Sequence, residues 1–351
     1  MNLAAELEIR LTGRSPTRGL RPGLAELIPQ ARNYLLLIID GVGDRQLTHP
    51  AAATLRRHRR AALYAPFPTT TTVGLSSVAT ALAPMQHGVI GYTQWMPALR
   101  TVVNMLMWVD MAAGQPIDGD PAGFHPSPNL AERLNVAGAR TVILQPTELL
   151  DTPLSNMVCR GAERHGYSSP FDIRPSALFN AGNRTLAVVY LGAVDAAAHA
   201  SGQRSQEYGT ALSRTGQVLE HLRRSLPPDT TLIGSADHGH CDVLPDGRIY
   251  LDENLTEGMR FWGDGRVLMF SGPLERVRRI AHRTNARFVS AGQLHRWLGG
   301  GPPHPILKEF PAAALLAPPG TVILPQHLPS SNIGHHGGIT PQELLIPLLV
   351  A

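Results

Sequence analysis

Residues 33–41 read NYLLLIIDG, and this stretch decides the fold class. An unbroken apolar run from Tyr34 to Ile39 leads directly into Asp40 and Gly41. Because the run shows no alternation of polar and apolar residues, it is typical of a strand buried on both faces, as in the centre of a parallel sheet. The Asp-Gly pair that follows is typical of a tight turn. We therefore predict a central parallel strand that ends at Asp40.

Similar β-rich runs recur along the chain, with helical patterns between them. A stripe with a period of 3.6 residues, from Leu212 to Leu222, predicts one helix, and Asn129–Val136 predicts another, ended by Gly138. Strands that alternate with helices are connected by right-handed crossovers. We predict an α/β fold with a doubly wound, mostly parallel sheet and helices on both faces. The predicted strands that accompany 33–39 are 141–144, 185–190, 230–234, 266–270 and 345–350.

The domain organisation follows from where this rhythm is interrupted. Residues 1–30 precede the first strand and form an N-terminal extension. Residues 91–128 are rich in Trp, Met, Pro and Gly and show no clear period, which is typical of an insertion over a site. We predict a single catalytic domain over residues 31–351, with a cap insertion at about 91–128.

Composition excludes several functional classes. The formal net charge is only +4, and the one dense basic cluster, 56–60, lacks interleaved aromatic residues, so we expect a solvated helix face there and no specific binding of nucleic acid. Cys159 and Cys241 form no metal or disulfide pattern. The apolar runs are shorter than the ~20 residues that span a bilayer, and no secretory leader is evident. We expect a cytoplasmic protein that binds a small molecule and no membrane; no pattern indicates its oligomeric state.

Carboxylates and imidazoles follow several of the predicted strands. Asp40 follows the first strand, Asp195 and His199 follow 185–190, and Asp237 and His238 follow 230–234. Each occurrence alone is compatible with a turn or with a pair on a helix surface. Ligands of open parallel sheets bind at the carboxyl ends of strands, however, and these side chains are the ligand types of a Zn²⁺ or Mn²⁺ site. Their joint occurrence therefore predicts a metal centre, to which the late pair His335-His336 would also contribute.

A run of threonines, Thr69 to Thr72, precedes a helical pattern over 73–83. A threonine at this position is commonly a helix N-cap. The first turn of a helix also attracts anions, and a hydroxyl beside a divalent cation is activated as a nucleophile. The residues alone do not distinguish a helix N-cap from a catalytic nucleophile at this position.

The order of the motifs resembles the type I phosphodiesterase / nucleotide pyrophosphatase family of the alkaline phosphatase superfamily. The similarity extends over about residues 33–350. The motifs that carry it are Asp40-Gly41, Pro68-Thr69-Thr70-Thr71, Pro84-Met85-Gln86-His87-Gly88, Asp195 with His199, Asp237-His238-Gly239 and His336-Gly337.

The resemblance implies an alkaline-phosphatase-like fold and two divalent metal ions, for which we expect Zn²⁺, with Mn²⁺ as the alternative. It implies Thr71 as a nucleophile that also contacts a metal, and counting back from His87 favours Thr71 over Thr70. His336 is preferred over His335 because it directly precedes Gly337. His87 is expected to be structural. The implied metal ligands are Asp195, His199 and His336 for one ion and Asp40, Asp237 and His238 for the other.

The chain departs from the family's pattern in its substrate contacts. The family carries an Asn three residues after its nucleophile, and here that position is Gly74. Asn104 is the candidate replacement, with a polar residue in a strand turn as the alternative interpretation. Tyr92, Trp95 and Trp108 are the candidate aromatic contacts for a nucleotide base.

These observations predict a metal-dependent phosphohydrolase that cleaves phosphodiester or pyrophosphate bonds of nucleotides through a phospho-threonine intermediate. No Arg or Lys adjoins Thr71 to bind the third charged oxygen of a monoester, so a diester is favoured. The alternatives are a phosphomonoesterase or phosphonate hydrolase on the same scaffold, and an inactive metal-binding or interaction module.

Overall fold

The computed structural model of the protein describes residues 1–179, 182–325 and 330–351. Its strands are β1 (Asn33–Ile39), β2 (Arg59–Tyr64), β3 (Thr93–Met96), β4 (Thr101–Asn104), β5 (Val109–Asp110), β6 (Ala139–Pro146), β7 (Glu163–Tyr167), β8 (Arg184–Leu191), β9 (Thr230–Ser235), β10 (Cys241–Asp242), β11 (Arg248–Leu251), β12 (Arg260–Asp264), β13 (Val267–Ser271), β14 (Arg287–Ser290), β15 (Ala313–Leu316), β16 (Val322–Pro325), β17 (Gly334–His335) and β18 (Leu345–Val350).

Helices lie between most of these strands. They are α1 (Asn2–Thr12), α2 (Pro22–Ala25), α3 (Ala53–His58), α4 (Thr71–Thr80), α5 (Pro84–His87), α6 (Leu130–Val136), α7 (Pro153–Val158), α8 (Pro175–Leu178), α9 (Ala193–Ser201), α10 (Gln206–Arg224), α11 (Glu253–Thr256), α12 (Leu274–Thr284), α13 (Ala291–Trp297) and α14 (Pro341–Leu344). Among the described residues, no helix combines the length and the apolar character needed to cross a membrane.

The central sheet has the strand order β2-β18-β9-β1-β8-β6-β7. β1 pairs in parallel with β8 and β9, and β6 pairs in parallel with β8 and β7, whereas β18 runs antiparallel to β9 and β2. Every residue of β1 is buried, as expected for a strand with covered neighbours on both sides. Helices cover both faces of the sheet, so the predicted doubly wound, mostly parallel α/β fold is confirmed.

One predicted core strand belongs elsewhere. The run 266–270 corresponds to β13, which lies in a separate antiparallel sheet of order β12-β13-β15-β14. The prediction of a core strand there was wrong because short apolar runs look alike in any sheet that is covered by other elements. Within the predicted cap, β3, β4 and β5 form a small antiparallel sheet, and β3 contacts β12 of the second sheet.

The basic cluster 56–60 also differs from its prediction as one helix face. α3 ends at His58, and Arg59 begins β2. Arg59 forms an ion pair with Asp44, and Glu220 of α10 accepts a hydrogen bond from His58. The cluster thus spans a helix-to-strand junction at the sheet edge.

Candidate active site

Acidic and imidazole side chains meet where the central strands end. Asp40 follows β1, Asp195 lies in the first turn of α9 after β8, and His238 follows β9. Parallel strands place their carboxyl ends at one edge, which explains why residues so distant in sequence converge. Two groups have ligand atoms that all lie within 4.8 Å of one another: Asp195, His199, His240 and His336 in the first, and Asp40, Asp195 and His238 in the second.

The first group is arranged around one oxygen of Asp195. His240 Nε2 lies 2.6 Å from Asp195 Oδ1, and His199 Nε2 lies 3.5 Å from the same oxygen. His199 Nε2 and His336 Nε2 face each other at 3.2 Å. Imidazole nitrogens and a carboxylate oxygen that face one another are donor types that bind Zn²⁺ in proteins.

Backbone carbonyls hold these imidazoles by their other ring nitrogen. His199 Nδ1 lies 2.8 Å from the Gly334 carbonyl oxygen, and His336 Nδ1 lies 3.1 Å from the Thr69 carbonyl oxygen. Protonation at Nδ1 leaves the lone pair on Nε2, which points into the cluster. Metal-binding histidines are oriented in this way in proteins generally.

Thr71 lies beside the second group, at the first residue of α4. Its Oγ1 is 3.0 Å from His238 Nε2, and the same nitrogen is 3.3 Å from Asp40 Oδ1 and 3.6 Å from Asp237 Oδ2. Asp237 Oδ1 accepts hydrogen bonds from the backbone N–H groups of His238 and Gly41. The free oxygen of Asp237 is therefore directed towards His238 and Thr71.

Thr69, in the loop before α4, bonds to the loop that carries His336. Its hydroxyl donates to the Gly338 carbonyl at 2.8 Å and accepts from the Gly337 N–H at 3.1 Å. Behind this loop, Arg266 and Glu343 form a buried ion pair at 2.9 Å, and Glu343 also accepts from the Gly338 N–H. These contacts fix His336 relative to Thr71.

The residues fit divalent cations. Asp40 Oδ1, Asp237 Oδ2 and His240 Nδ1 are buried and have no hydrogen-bond partner among the described residues. Buried polar atoms without partners are rare because each costs roughly 1–3 kcal/mol. A cation would satisfy the two carboxylate oxygens and offset the repulsion among the three aspartates.

The electrostatics of these side chains also suit a bound cation. Burial, followed by the charges of Asp195 and Asp237, raises the pKa of Asp40 well above its ordinary value. Burial also opposes ionisation of Asp195, but the hydrogen bond from His240 and the nearby imidazoles outweigh it, so that the pKa of Asp195 is lowered. Burial and three neighbouring histidines lower the pKa of His336 well below 6.5. A neutral imidazole among carboxylates is the protonation state that a metal ligand needs.

Two site residues were missed in the sequence. His240, fully buried, follows His238 by two residues in the motif DHGH, and its spacing could have suggested it. Tyr190, the penultimate residue of β8, donates a hydrogen bond to Asp40 Oδ2. Nothing in the sequence around Tyr190 distinguishes it from an ordinary strand residue.

Three residues that the sequence analysis weighed and set aside, Thr70, His335 and His87, do not join the Asp/His cluster. Thr70 is the residue before α4, and its hydroxyl is buried without a partner among the described residues. His335 Nε2 lies 3.1 Å from the Asn332 carbonyl oxygen. His87 Nε2 lies 2.9 Å from the hydroxyl of Ser77. The geometry brings Thr71 and His336 to the cluster, whereas His335 and His87 contact other groups and the Thr70 hydroxyl bonds to none of the described residues.

The candidate substrate residues have other partners. Asn104 donates to the Tyr92 hydroxyl at 2.9 Å and accepts from the Leu106 and Met107 N–H groups, so it stabilises the turn after β4. The Trp95 indole donates to Glu309, and Arg260 lies 4.1 Å above its ring. None of these side chains is among the described residues that line the cavity at Thr71.

Trp108 and Gly74 are also explained by packing. Trp108 packs edge to face against Phe124 at 6.0 Å in the cap. A Cβ atom at Gly74 would lie 2.6 Å from the Cβ of Asp237. This close approach of α4 to Asp237 excludes any side chain at position 74, including the Asn of the family's pattern.

Comparison with known proteins gives one family and a set of similar folds. The model of the type I phosphodiesterase / nucleotide pyrophosphatase family matches residues 34–292, and no curated protein matches the chain by sequence. Murine ectonucleotide pyrophosphatase / phosphodiesterase 5 shares 16% identity over 90% of this chain and 87% of its own, with a TM-score of 0.67. An inactive variant of that murine protein was solved in complex with AMP.

A phosphonate-cleaving enzyme has the same fold. Phosphonoacetate hydrolase from Sinorhizobium meliloti 1021, solved in complex with phosphonoformate, shares 16% identity over 92% of this chain and 91% of its own, with a TM-score of 0.68. At these identities the structural similarities show the fold, which is alkaline-phosphatase-like as predicted.

Proposed function

Because the chain belongs to the type I phosphodiesterase / nucleotide pyrophosphatase family, a family of hydrolases, we propose that it cleaves phosphodiester or pyrophosphate bonds with Thr71 as the nucleophile. The observation that carries the proposal is the position of the Thr71 hydroxyl, 3.0 Å from His238 Nε2 at the margin of the Asp/His cluster. The hydroxyl also lies at the N-terminus of α4, where the first backbone N–H groups have no partner within the helix.

Two divalent ions fit this ligand set, and we propose Zn²⁺, with Mn²⁺ as the alternative. Asp195, His199, His336 and the additional His240 would hold one ion, and Asp40, Asp237, His238 and Thr71 would hold the other. Bound there, the ions would lower the pKa of the Thr71 hydroxyl and neutralise charge on the attacking and leaving oxygens.

In the proposed reaction, the Thr71 hydroxyl loses its proton to solvent, Oγ1 attacks phosphorus, and the bond to the leaving oxygen breaks on the opposite side. The leaving oxygen departs with the bonding electron pair, and phosphorus remains on Thr71 as a phospho-threonine. A water molecule then attacks the same phosphorus, and Oγ1 leaves and regains a proton. The free N–H groups at the start of α4 bind a non-bridging oxygen, the role for which Gly74 provides no side chain.

The family resemblance implies a nucleotide as the organic part of the substrate, so a nucleotide ester is the reference compound when substrate preference is measured. The substrate is proposed to be a small molecule, and the cytoplasmic location stays a prediction of the sequence. A phosphomonoesterase, a phosphonate hydrolase and an inactive metal-binding module are outcomes that the experiment must separate from a diesterase.

The test compares bis-p-nitrophenyl phosphate with p-nitrophenyl phosphate on the Zn²⁺- or Mn²⁺-loaded protein. We expect the diester to have the higher kcat/KM, and Thr71→Ala to lower kcat by about 10³-fold or more while bound metal is retained. Thr70→Ala is the matched control and should keep most of the activity. A faster monoester would favour the monoesterase, and unchanged turnover by Thr71→Ala would refute the nucleophile assignment.

A further inference from the structure

A cavity of about 300 Å³ opens at the candidate active site and continues along one face of the central sheet. Thr71, Asp40 and Asp195 lie at one end of its lining. The walls beyond them come from β1, β6 and β8 on the sheet side and from α4, α6 and α7 on the helix side. Leu106 and Met107 of the cap also contribute, and the Met107 side chain is 54% exposed.

The cavity accounts for an unusual pattern of exposure inside the fold. Ile143 of β6 and Val188 of β8 are only half-buried, although both strands are interior and helices cover this face of the sheet. Leu75 and Val78 of α4 line the same space and are also half-buried. Protein interiors are packed as densely as organic crystals, so apolar side chains left facing one another across a gap indicate a space that a ligand fills.

Aliphatic side chains make up most of this lining. The charged residues among those described are Asp40 and Asp195, both at the active-site end. Deeper in the cavity, the Gln145 amide donates to Ser155 Oγ at 3.0 Å and to the Leu149 carbonyl at 2.8 Å, so it is already engaged within the protein. Apart from the Thr141 hydroxyl, which has no hydrogen-bond partner among the described residues, the cavity therefore provides mainly apolar contact.

The same lining does not suit a nucleotide base. Bases are held by stacking on aromatic rings and by hydrogen bonds to their edges. Tyr190 is the aromatic residue among the described lining residues, and its hydroxyl already donates to Asp40.

We propose that this cavity binds an unbranched alkyl chain, so that the preferred substrates are phosphodiesters with one aliphatic ester group. The inference rests on the proposed function, because the alkyl chain is placed relative to a phosphorus held at Thr71. A volume of about 300 Å³ is at the lower limit for small-molecule pockets, which suits a single slender chain.

The first experiment measures hydrolysis of a series of alkyl p-nitrophenyl phosphates by the metal-loaded protein, from methyl to octyl. Each buried methylene should raise kcat/KM by roughly fourfold until the cavity is full. The p-nitrophenyl ester of thymidine 5′-monophosphate is the nucleotide reference and should be a poorer substrate than the octyl ester.

Variants of the lining test whether this cavity is responsible. Ala131→Phe on α6 and Ala79→Leu on α4 both add bulk to the lining, and two positions guard against one variant that does not fold. Within each variant, the ratio of the octyl to the methyl rate should fall by at least tenfold relative to the wild type. Val136→Phe is the control, since Val136 lies on the same helix as Ala131 and is 82% exposed.

The outcomes separate this inference from the proposed function. A flat chain-length series, or a preference for the nucleotide ester, would refute the alkyl pocket while leaving the diesterase intact. If no ester is hydrolysed, calorimetric binding of butyl and octyl phosphate still decides: tighter binding of the longer chain that is lost in Ala131→Phe supports the pocket, and equal binding refutes it.

Discussion

Two clusters of histidines contact residues of α4 and differ in their other partners. Around Thr71, the imidazoles of His199, His240 and His336 face a carboxylate and one another. Further along the helix, at Ser76 and Ser77, His87 and His125 lie 5.9 Å apart, and each lies close to one of these serine hydroxyls. The residue type is the same in both places, so the neighbouring groups decide what each cluster can do.

The second cluster, here called the serine-paired cluster, consists of His87 and His125 with Ser77 and Ser76. It has no carboxylate among the contacts that the structure describes. Burial lowers the pKa of His87 well below 6.5, and burial together with the charge of Arg160 lowers the pKa of His125 to about 3. Both rings are therefore neutral at physiological pH. In the Asp/His cluster, by contrast, aspartates supply the negative charge that attracts a cation. Carboxylates, rather than histidine density, distinguish a metal site from a polar core.

The largest expected difference between the clusters is in metal binding. His336→Ala should lower both bound metal and activity, the activity by about 10³-fold, because one ligand and its stacking on His238 at 3.9 Å are lost. His87→Ala should keep the metal and most of the activity, but lower the free energy of unfolding by roughly 1–3 kcal/mol, because the Ser77 hydroxyl loses its partner.

Metal analysis, kinetics and urea unfolding of both variants measure this contrast. His335→Ala is the matched control, since this adjacent histidine faces the Asn332 carbonyl instead of the cluster. Loss of metal from His87→Ala, or a fully active His336→Ala, would mean that the assignment of the two clusters is wrong.

His240 provides a smaller test of the same comparison. Its Nε2 contacts Asp195 at 2.6 Å, so it orients that carboxylate besides its own proposed place at the ion. We expect His240→Asn to weaken metal affinity by about 10- to 100-fold, the range found when groups that support a metal ligand are removed. A competition assay with a chromogenic chelator measures the affinity. Unaltered affinity would place His240 outside the metal site.

The sequence predicts the fold better than it predicts the complete site. The run 33–39 predicts a parallel α/β sheet because a strand that is buried on both faces has an unbroken series of apolar residues. The metal-ligand types are predictable since strand ends converge. Tyr190 and the aliphatic cavity are not, because they depend on which strand face meets which helix.

Asn104 is a residue whose role the sequence does not predict. Its position in the cap suggested a phosphate contact, whereas its amide in the structure bonds Tyr92 and the following turn. A polar residue in a sequence does not reveal whether its hydrogen bonds are made within the chain. The folded arrangement decides which donors and acceptors of the side chain remain free for a substrate.

The smallest expected effect concerns pH and the serine-paired cluster. The pKa of His125 is about 3 in the folded protein, against 6.5 ordinarily, so below pH 6.5 the unfolded chain takes up a proton that the folded protein excludes. The free energy of unfolding should therefore fall as the pH drops from 6.5 towards 3. Replacing His125 by Gln retains a partner for Ser76 without this titration, and should reduce the loss between pH 6 and pH 5 by about 1 kcal/mol.

Urea unfolding of the wild type and His125→Gln at pH 7, 6 and 5, with metal removed from both, isolates this contribution, because the Asp/His cluster is common to the two proteins and cancels in the difference. His165→Gln is the control, since that histidine is exposed and pairs with Glu163 at the surface. If the two pH profiles run parallel, the folded protein takes up a proton on His125 as readily as the unfolded chain does, and the contrast between a neutral and a cation-binding cluster fails.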